Sequence, residues 1–371
     1  MPRVFNHMSA FARCCLHTTH SLVTVPRLVY FQHTLRQSVD CVQRMSFSPV
    51  RQLATKKACG TNTACQAVVS GIEEHRIQHH ATECDLSNGV SWLEGMPRGA
   101  YTTCRTVRGG TSVFELSFHL QRLVDSLELM MTGEDETLDA LTLKEDVLWT
   151  IRDAVEGYRE RECDADEERE MKITVLVPYE RPISRVYTHV TDLGSRKPAG
   201  VPVKVEIRGE PRKNAAAKDS DWVLERKKLG KSDDVNEIVL EQGGLLYEGL
   251  SSNFFAMKDG VLYTAGEGIL LGSVRESVLR MAEELDIPIV LEPPHVDDME
   301  KWDAAFISST SRMLLPIDVL AVCRDATGGQ EEGHMRNFDN DAMPIVGALE
   351  KAVMEDILSS SESIFMTEST N

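Results

Sequence analysis

Acidic residues are almost missing from the first 57 positions, where Asp40 stands alone among eight Lys/Arg. A leader that is Arg-rich, Ser/Thr/His-rich and acid-poor reads as an organelle transit peptide. A disordered tail with no address is the plainer alternative. The apolar pieces of this leader are interrupted by Arg and His, which disfavours a secretory signal. Long apolar runs are missing as well: no stretch of about 18 or more uncharged apolar residues occurs, so a membrane span is not supported. Paired cysteines are also lacking. Of nine cysteines, Cys14, Cys15, Cys41, Cys59 and Cys65 fall in the leader or just after it, and Cys84, Cys104, Cys163 and Cys323 are scattered without a C-x-x-C. That pattern makes no zinc site and fits free thiols in a reducing compartment.

What is present is a chain of 371 residues, 42% hydrophobic and 26% charged, in the range of a globular protein long enough for two domains. Beyond position 57 there are 32 basic and 57 acidic residues, a formal charge of −25 against −18 for the whole chain. So acidic a body argues against nucleic acid and anionic membrane surfaces as partners.

The organisation follows from periodicity. "GAYTTCRTVRGGTSVFEL" alternates around a Gly-Gly turn and predicts a hairpin. In "SFHLQRLVDSLELMM", Leu120, Leu123, Leu127 and Met130 share one helical face. "LKEDVLWTIRDAVEGYRER" predicts a second helix, and "MKITVLVPY" and "VPVKVEIRG" predict strands. The polar "THVTDLGSRKPAG" between those strands suggests a domain boundary near 192–200. The second half reads as strands "NEIVLEQ", "GLLYEG", "NFFAM" and "GVLYTA", a helix from about Val274 to Leu285, strands "IPIVLE" and "AAFISST", and a closing helix in "MPIVGALEKAVMEDIL". The expected divisions are a leader over 1–65, a small domain over 85–195, a larger one over 200–358 and a frayed tail over 359–371. Mixed strands and helices with many hairpins predict an α+β fold, not a doubly wound sheet.

Four places could carry chemistry, and each has a plainer reading. Gly272 and Ser273 open the helix that begins near Val274, and a helix N-terminus with free N–H groups attracts an anion; an ordinary Ser N-cap explains the same letters. On that helix Val274, Val278, Ala282, Met281 and Leu285 are expected to pack, with Arg275, Glu276, Glu283 and Glu284 in water. Glu248 lies in an apolar strand, so it either faces solvent at an edge or meets a buried cation. Lys218 follows three alanines, a setting that can desolvate an amine and make it nucleophilic, although most lysines are solvated. Arg122 shares a helix side with His119 and either reaches a phosphate or stays exposed.

The order of these pieces resembles one family. A helix arginine, a lysine, "EG-x-S-S-N-F" about thirty residues later, then "G-x-x-R" and "FISST" are similar to the class IV (fold type IV) aminotransferases, from about Gly99 to Leu320. Within it, "AAAKDSDWVLERKKL" looks most like plant and algal proteins described as D-amino-acid-aminotransferase-like. The resemblance implies two α/β domains with pyridoxal 5'-phosphate in the cleft between them. It implies that Lys218 holds the cofactor as an internal aldimine and moves the substrate proton. By the same resemblance Glu248 keeps the pyridine nitrogen protonated, Arg122 binds the phosphate, and Ser273, Val274 and Thr310 complete the phosphate cup. The implied reaction moves an amino group between an α-amino acid and a 2-oxo acid, in a homodimer. Aminodeoxychorismate lyase chemistry on the same site and a degenerate cofactor-binding paralogue are the alternatives. Two positions depart from the pattern: Val274 stands where relatives usually carry threonine, and "DSDW" replaces an asparagine-tyrosine pair after the lysine. No metal is implied. The leader suggests the mitochondrion first and a plastid second.

Overall fold

A computed structural model of the chain describes residues 67–365, apart from His75, 132–137, 162–168, 181–182, 195–200 and 324–332. The leader and most of the expected boundary at 192–200 therefore lie outside the described residues. The described elements belong to one compact unit and build two sheets.

The first sheet begins with β1 (Ala67–Glu73) and β2 (Arg76–Glu83), continues through β3 (Gly99–Val107), β4 (Ser112–Phe114), β5 (Met171–Pro178) and β6 (Arg185–Asp192), and takes a last strand from Ser361–Ser363. Its order is Ser361–Ser363, β4, β3, β5, β6, β1, β2, antiparallel throughout. The short helix α1 (Gly89–Glu94) packs Trp92 and Leu93 on one face against Tyr101 and Leu176. Helices α2 (Leu116–Met130) and α3 (Ala140–Arg161) cover the other, where Leu123, Leu127, Val147 and Ile151 pack on Ile173, Val175 and Val190.

The second sheet follows from β7 (Lys204–Ile207), β8 (Glu237–Gln242), β9 (Leu245–Gly249), β10 (Asn253–Lys258) and β11 (Val261–Tyr263), with helix α4 (Asp221–Lys227) between β7 and β8. Strand β12 (Ile289–Val290) adds to β11, while β13 (Ala304–Ser309) pairs with both β10 and β14 (Met313–Pro316). Strands β15 (Val319–Val322) and β16 (Met335–Asn337) finish the far edge beside β7. Strand β10 shows why this sheet needs two cores: alternate residues point to opposite faces. Phe254 and Ala256 join Trp302 and Ile307 on one side; Phe255 and Met257 join Phe306 and Val278 on the other. The second core is closed by α5 (Ser273–Glu284) and α6 (Pro344–Ser359).

Several expectations need correction. "THVTD" belongs to β6, where Thr188 and His189 are buried, and their polarity is absorbed by Thr150 Oγ1 at 2.8 Å and by the Leu86 carbonyl at 2.7 Å. Buried polar groups with such partners sit comfortably in a sheet. The small half starts before 85, because β1 and β2 extend its sheet. The expected frayed tail is held at its start, since Ser361–Ser363 pairs with β4 and Glu362 accepts from Ser117 N and Oγ. "IPIVLE" yields only the two-residue β12.

Candidate active site

Lys218 sits on the loop between β7 and α4. That loop is stitched to β3 of the first sheet. Tyr101 N donates to the Lys218 carbonyl at 2.9 Å, Ser220 N donates to the Gly99 carbonyl at 2.9 Å, and Gly99 N donates to Ser220 Oγ at 2.9 Å. Arg98 Nη2 reaches Asp219 Oδ2 at 2.5 Å outside this seam. The lysine is thus fixed from both sheets at once. Its Nζ lies 4.6 Å from the centre of the Tyr101 ring. Burial, then the nearby charges of Arg122, Arg212 and Arg226, push its pKa well below that of an ordinary lysine. A lysine shifted in this direction gives up its proton more readily than a solvated one and is the better nucleophile.

Glu248 stands on β9 opposite Asn253 of β10 and is 3% exposed. Its Oε1 accepts from Arg212 Nε at 2.9 Å and Nη2 at 2.7 Å, and its Oε2 accepts from Leu270 N at 3.0 Å. Of its two sequence readings, the buried cation partner is the one found. Burial still holds the carboxyl pKa above its usual value, opposed by Arg212 and the Leu270 N–H.

The letters after Glu248 now have physical reasons. A Cβ on Gly249 would lie 2.3 Å from Ser252 Oγ and 2.8 Å from Glu237 Cγ, so only glycine fits. Ser251 and Ser252 donate to Glu237 Oε2, each at 2.9 Å, helping to satisfy a second buried carboxylate that also binds Arg312. Asn253 Nδ2 donates to the Leu270 carbonyl at 2.7 Å and its Oδ1 crowds Gly272, which sets the loop leading into α5.

Gly272 precedes α5, whose first internal bond runs from Glu276 N to the Gly272 carbonyl. The amides of Ser273 and Val274 therefore have no helical acceptor. The Val274 side chain lies in the core, leaving only its backbone for the cleft. Arg122 approaches from α2, 9% exposed, with Nη2 donating to Thr102 Oγ1 at 2.7 Å and lying 3.1 Å from His119 Nδ1. Burial lowers its pKa to about 10. Buried His119, beside the Arg122 and Lys218 charges, is held well below its usual pKa and so is neutral.

Lys218, Glu248, Arg122, Ser273, Val274 and Thr310 all line one cleft of about 310 Å³. Four buried polar atoms of cleft residues, Arg122 Nε, Ser273 Oγ, Arg275 Nε and Ser308 Oγ, have no hydrogen-bond partner among the described residues. Unpaired buried donors beside a helix N-terminus suit an oxyanion with several oxygens, so the residues present fit a phosphate-bearing cofactor.

Other placements depart from the sequence reading. Thr310 lines the cleft, but its hydroxyl donates to the Thr103 carbonyl at 3.2 Å. Ser308, not singled out in the sequence, supplies an unpartnered hydroxyl instead. Arg275 is buried, not wet: its Nη2 donates to the Ala265 carbonyl at 3.0 Å and Nη1 to Glu276 at 2.8 Å. Leu285, expected to pack, is 41% exposed because the helix ends one residue before it. Arg212, Glu237 and Arg312 were also unnoticed; the two arginines lie in polar stretches without period, Glu237 opens the apolar strand β8, and what reveals each is its partner in space. No group of residues suited to holding a metal occurs among the described residues.

Solved structures identify the architecture as that of the fold type IV aminotransferases. A branched-chain aminotransferase from the archaeon Thermoproteus uzoniensis, determined with norvaline, matches at a TM-score of 0.58 and 18% identity, over 80% of this chain and 100% of that one. A branched-chain amino acid aminotransferase from T.th., determined with pyridoxamine 5'-phosphate, matches at 0.57 and 14% identity, over 82% and 99%. The family model for amino-transferase class IV matches residues 99–320, and the chain belongs to that family. Class IV aminotransferases use pyridoxal phosphate. A D-alanine aminotransferase of Staphylococcus epidermidis is 39% identical over 83 residues, which is 22% of this chain and 29% of that enzyme's length.

Proposed function

We propose that the chain is a pyridoxal-phosphate-dependent aminotransferase that moves an amino group between an α-amino acid and a 2-oxo acid. The observation that carries this reading is the juxtaposition in one cleft of a desolvated lysine, a buried glutamate and a set of unpaired anion donors. Arg122, Ser308, the Ser273 hydroxyl and the amides of Ser273 and Val274 hold the phosphate. Lys218 Nζ would hold the cofactor, and as a free amine it would take the proton from the substrate α-carbon and return it. Glu248, held in place by Arg212, keeps a proton on the ring nitrogen. The cofactor, when bound, supplies an aldehyde that accepts the amino group and a ring that takes up the carbanion's electrons. Tyr101 on the cleft wall shields the amine from water.

The acid-poor leader supports delivery to the mitochondrion, tested by fusing residues 1–65 to a fluorescent reporter. The family resemblance supports a homodimer, tested by the mass of the purified protein in solution.

The experiment that tests the chemistry is a visible spectrum of the purified protein with borohydride and peptide mapping. Pyridoxal phosphate fixed on Lys218, and loss of its band on adding an amino acid, is the expected result. A protein that takes up no cofactor, or carries it on another lysine, refutes the reading.

A further inference from the structure

The two parts of the anion cup stand on different helices. Arg122 comes from α2, packed on the first sheet, and the Ser273 and Val274 amides come from α5, packed on the second. The end of the chain reaches both. Helix α6 buries Val346, Leu349, Val353 and Ile357 in a core of the second sheet, and directly afterwards Ser361–Ser363 pairs with β4 of the first. Ile364 then enters the first core, and its N–H donates to the Thr111 carbonyl at 3.2 Å.

Helix α2 does not cap itself. Glu115 at its N-cap has a φ of 49°, in the left-handed region, and its side chain makes no capping bond. The tail supplies the missing acceptor: Glu362 Oε1 takes Ser117 N at 2.7 Å and its Oε2 takes Ser117 Oγ at 2.6 Å. A carboxylate thus sits at the positive end of the helix, within two turns of Arg122. Glu115 N donates to the Ser360 carbonyl at 3.1 Å, while Glu115 Oε1 accepts from Arg280 Nη2 of α5 at 3.0 Å. The same Arg280 nitrogen donates to Asp356 Oδ2 of α6 at 2.6 Å. Asp356 is buried and also accepts from Ser277 Oγ of α5 and, at 3.0 Å, from Ser360 Oγ. Ser277 lies one helical turn beyond Ser273. Asp356 therefore grips α5 next to the cup, and Glu362 caps the helix that carries Arg122.

We propose that the segment from Asp356 to Glu362 is a strap that sets the spacing between the two halves of the anion cup, with Asp356 and Glu362 as its positioning residues. This rests on the reading of the cup as a phosphate site. Neither carboxylate lines the cleft, so both act through the helices they hold. Hydrogen bonds weaken steeply with distance and angle, so an oxyanion shared between two helices is sensitive to their separation. Lys218 is fixed separately, by its backbone bonds to Gly99 and Tyr101. A slackened strap therefore loosens the hold on phosphate and leaves the rest of the cleft in place.

The test is calorimetric titration of the cofactor-free full chain with pyridoxamine 5'-phosphate and with pyridoxamine, whose affinity ratio isolates the hold on phosphate. Asp356→Ala and Glu362→Ala are each expected to lower that ratio by about tenfold while pyridoxamine binds as before. Glu362→Gln keeps an acceptor for Ser117 N and is expected to recover much of the loss. Weakening of both ligands alike marks a general loss of structure and overturns the strap. If Asp356→Ala does not fold, Glu362→Ala, at a half-buried position, decides alone. A preference for phosphate that the variants leave unchanged refutes the strap and spares the cup. Equal binding of the two ligands by the unaltered protein refutes the phosphate cup, and the strap with it.

Discussion

Arg212 grips one oxygen of Glu248 with two donors, Nε at 2.9 Å and Nη2 at 2.7 Å, and both side chains are almost fully out of water. The guanidinium also lies 5.3 Å from the centre of the Trp222 ring and donates to the Ala215 carbonyl at 2.9 Å, so its orientation is fixed from three directions. An isolated carboxylate at this depth would protonate. Arg212 therefore has two tasks, holding Glu248 in position and favouring its ionised form.

Breaking a buried pair leaves one charge uncompensated, at a cost of about 3–5 kcal/mol. Arg212→Met is expected to destabilise the protein by that order, read as a shift in the urea midpoint at unchanged slope. Adding Glu248→Gln to Arg212→Met removes the stranded charge and is expected to recover part of the loss. If the double variant falls by the sum of the single losses, the two residues act independently and the positioning role of Arg212 is wrong.

Lys218→Ala is expected to abolish amino transfer while leaving the circular dichroism spectrum intact, because the loop is held by backbone bonds to Gly99 and Tyr101 and not by the amine. Glu248→Gln is expected to retain cofactor but slow the loss of the α-proton, seen as slowed exchange of that hydrogen with deuterated water. Normal turnover in Lys218→Ala refutes its assignment; loss of cofactor with unchanged exchange refutes that of Glu248.

The pH dependence of the cofactor-free protein follows from the same lysine. Its folded pKa lies well below the 10.5 of an ordinary lysine, so between those two values the unfolded chain binds more protons than the folded one. Stability contributed by this group therefore rises with pH across that window, by at most about 1.4 kcal/mol per pH unit, and levels off above it. Glu248 has the opposite sign: its folded pKa is raised above 4.5, so its contribution is lost as pH rises through the folded value. Thermal melting between neutral pH and about pH 10, compared with Lys218→Met, isolates the lysine. The variant should show a flatter curve; parallel curves rule out a desolvated amine.

Much of this site was legible in the sequence because its residues serve short-range geometry. Gly249, Ser251, Ser252 and Asn253 are neighbours along the chain, and the crowding that demands them is local. The helical face of Leu120, Leu123, Leu127 and Met130 was visible for the same reason, as it follows from the helical repeat alone. Strand β6 was not visible, because Thr188 and His189 look polar until Thr150 and Leu86, distant in sequence, supply their partners. Arg275 looked solvent-facing by helical phase, yet the chain at Ala265 folds over it. Arg212 carries no local signature, and its meaning lies in the acid it meets, Glu248.

Arg122 offers the most direct reading of the anion cup. Its Nη2 is anchored by Thr102 and lies against His119, while Nε is buried without a partner among the described residues. Arg122→Ala removes a charge-assisted donor and is expected to weaken cofactor retention by about tenfold to a hundredfold, measured by equilibrium dialysis. Arg122→Lys keeps the charge but not the planar fork, so it should fall between the two. The change also acts on His119, whose low pKa owes its second-largest contribution to Arg122. In the alanine variant the imidazole should protonate at higher pH, observable by NMR on the cofactor-free protein. Unchanged cofactor affinity together with an unchanged histidine titration would place the guanidinium away from the cup. Unchanged affinity with a shifted histidine would leave Arg122 only the role of holding Thr102 and His119 together.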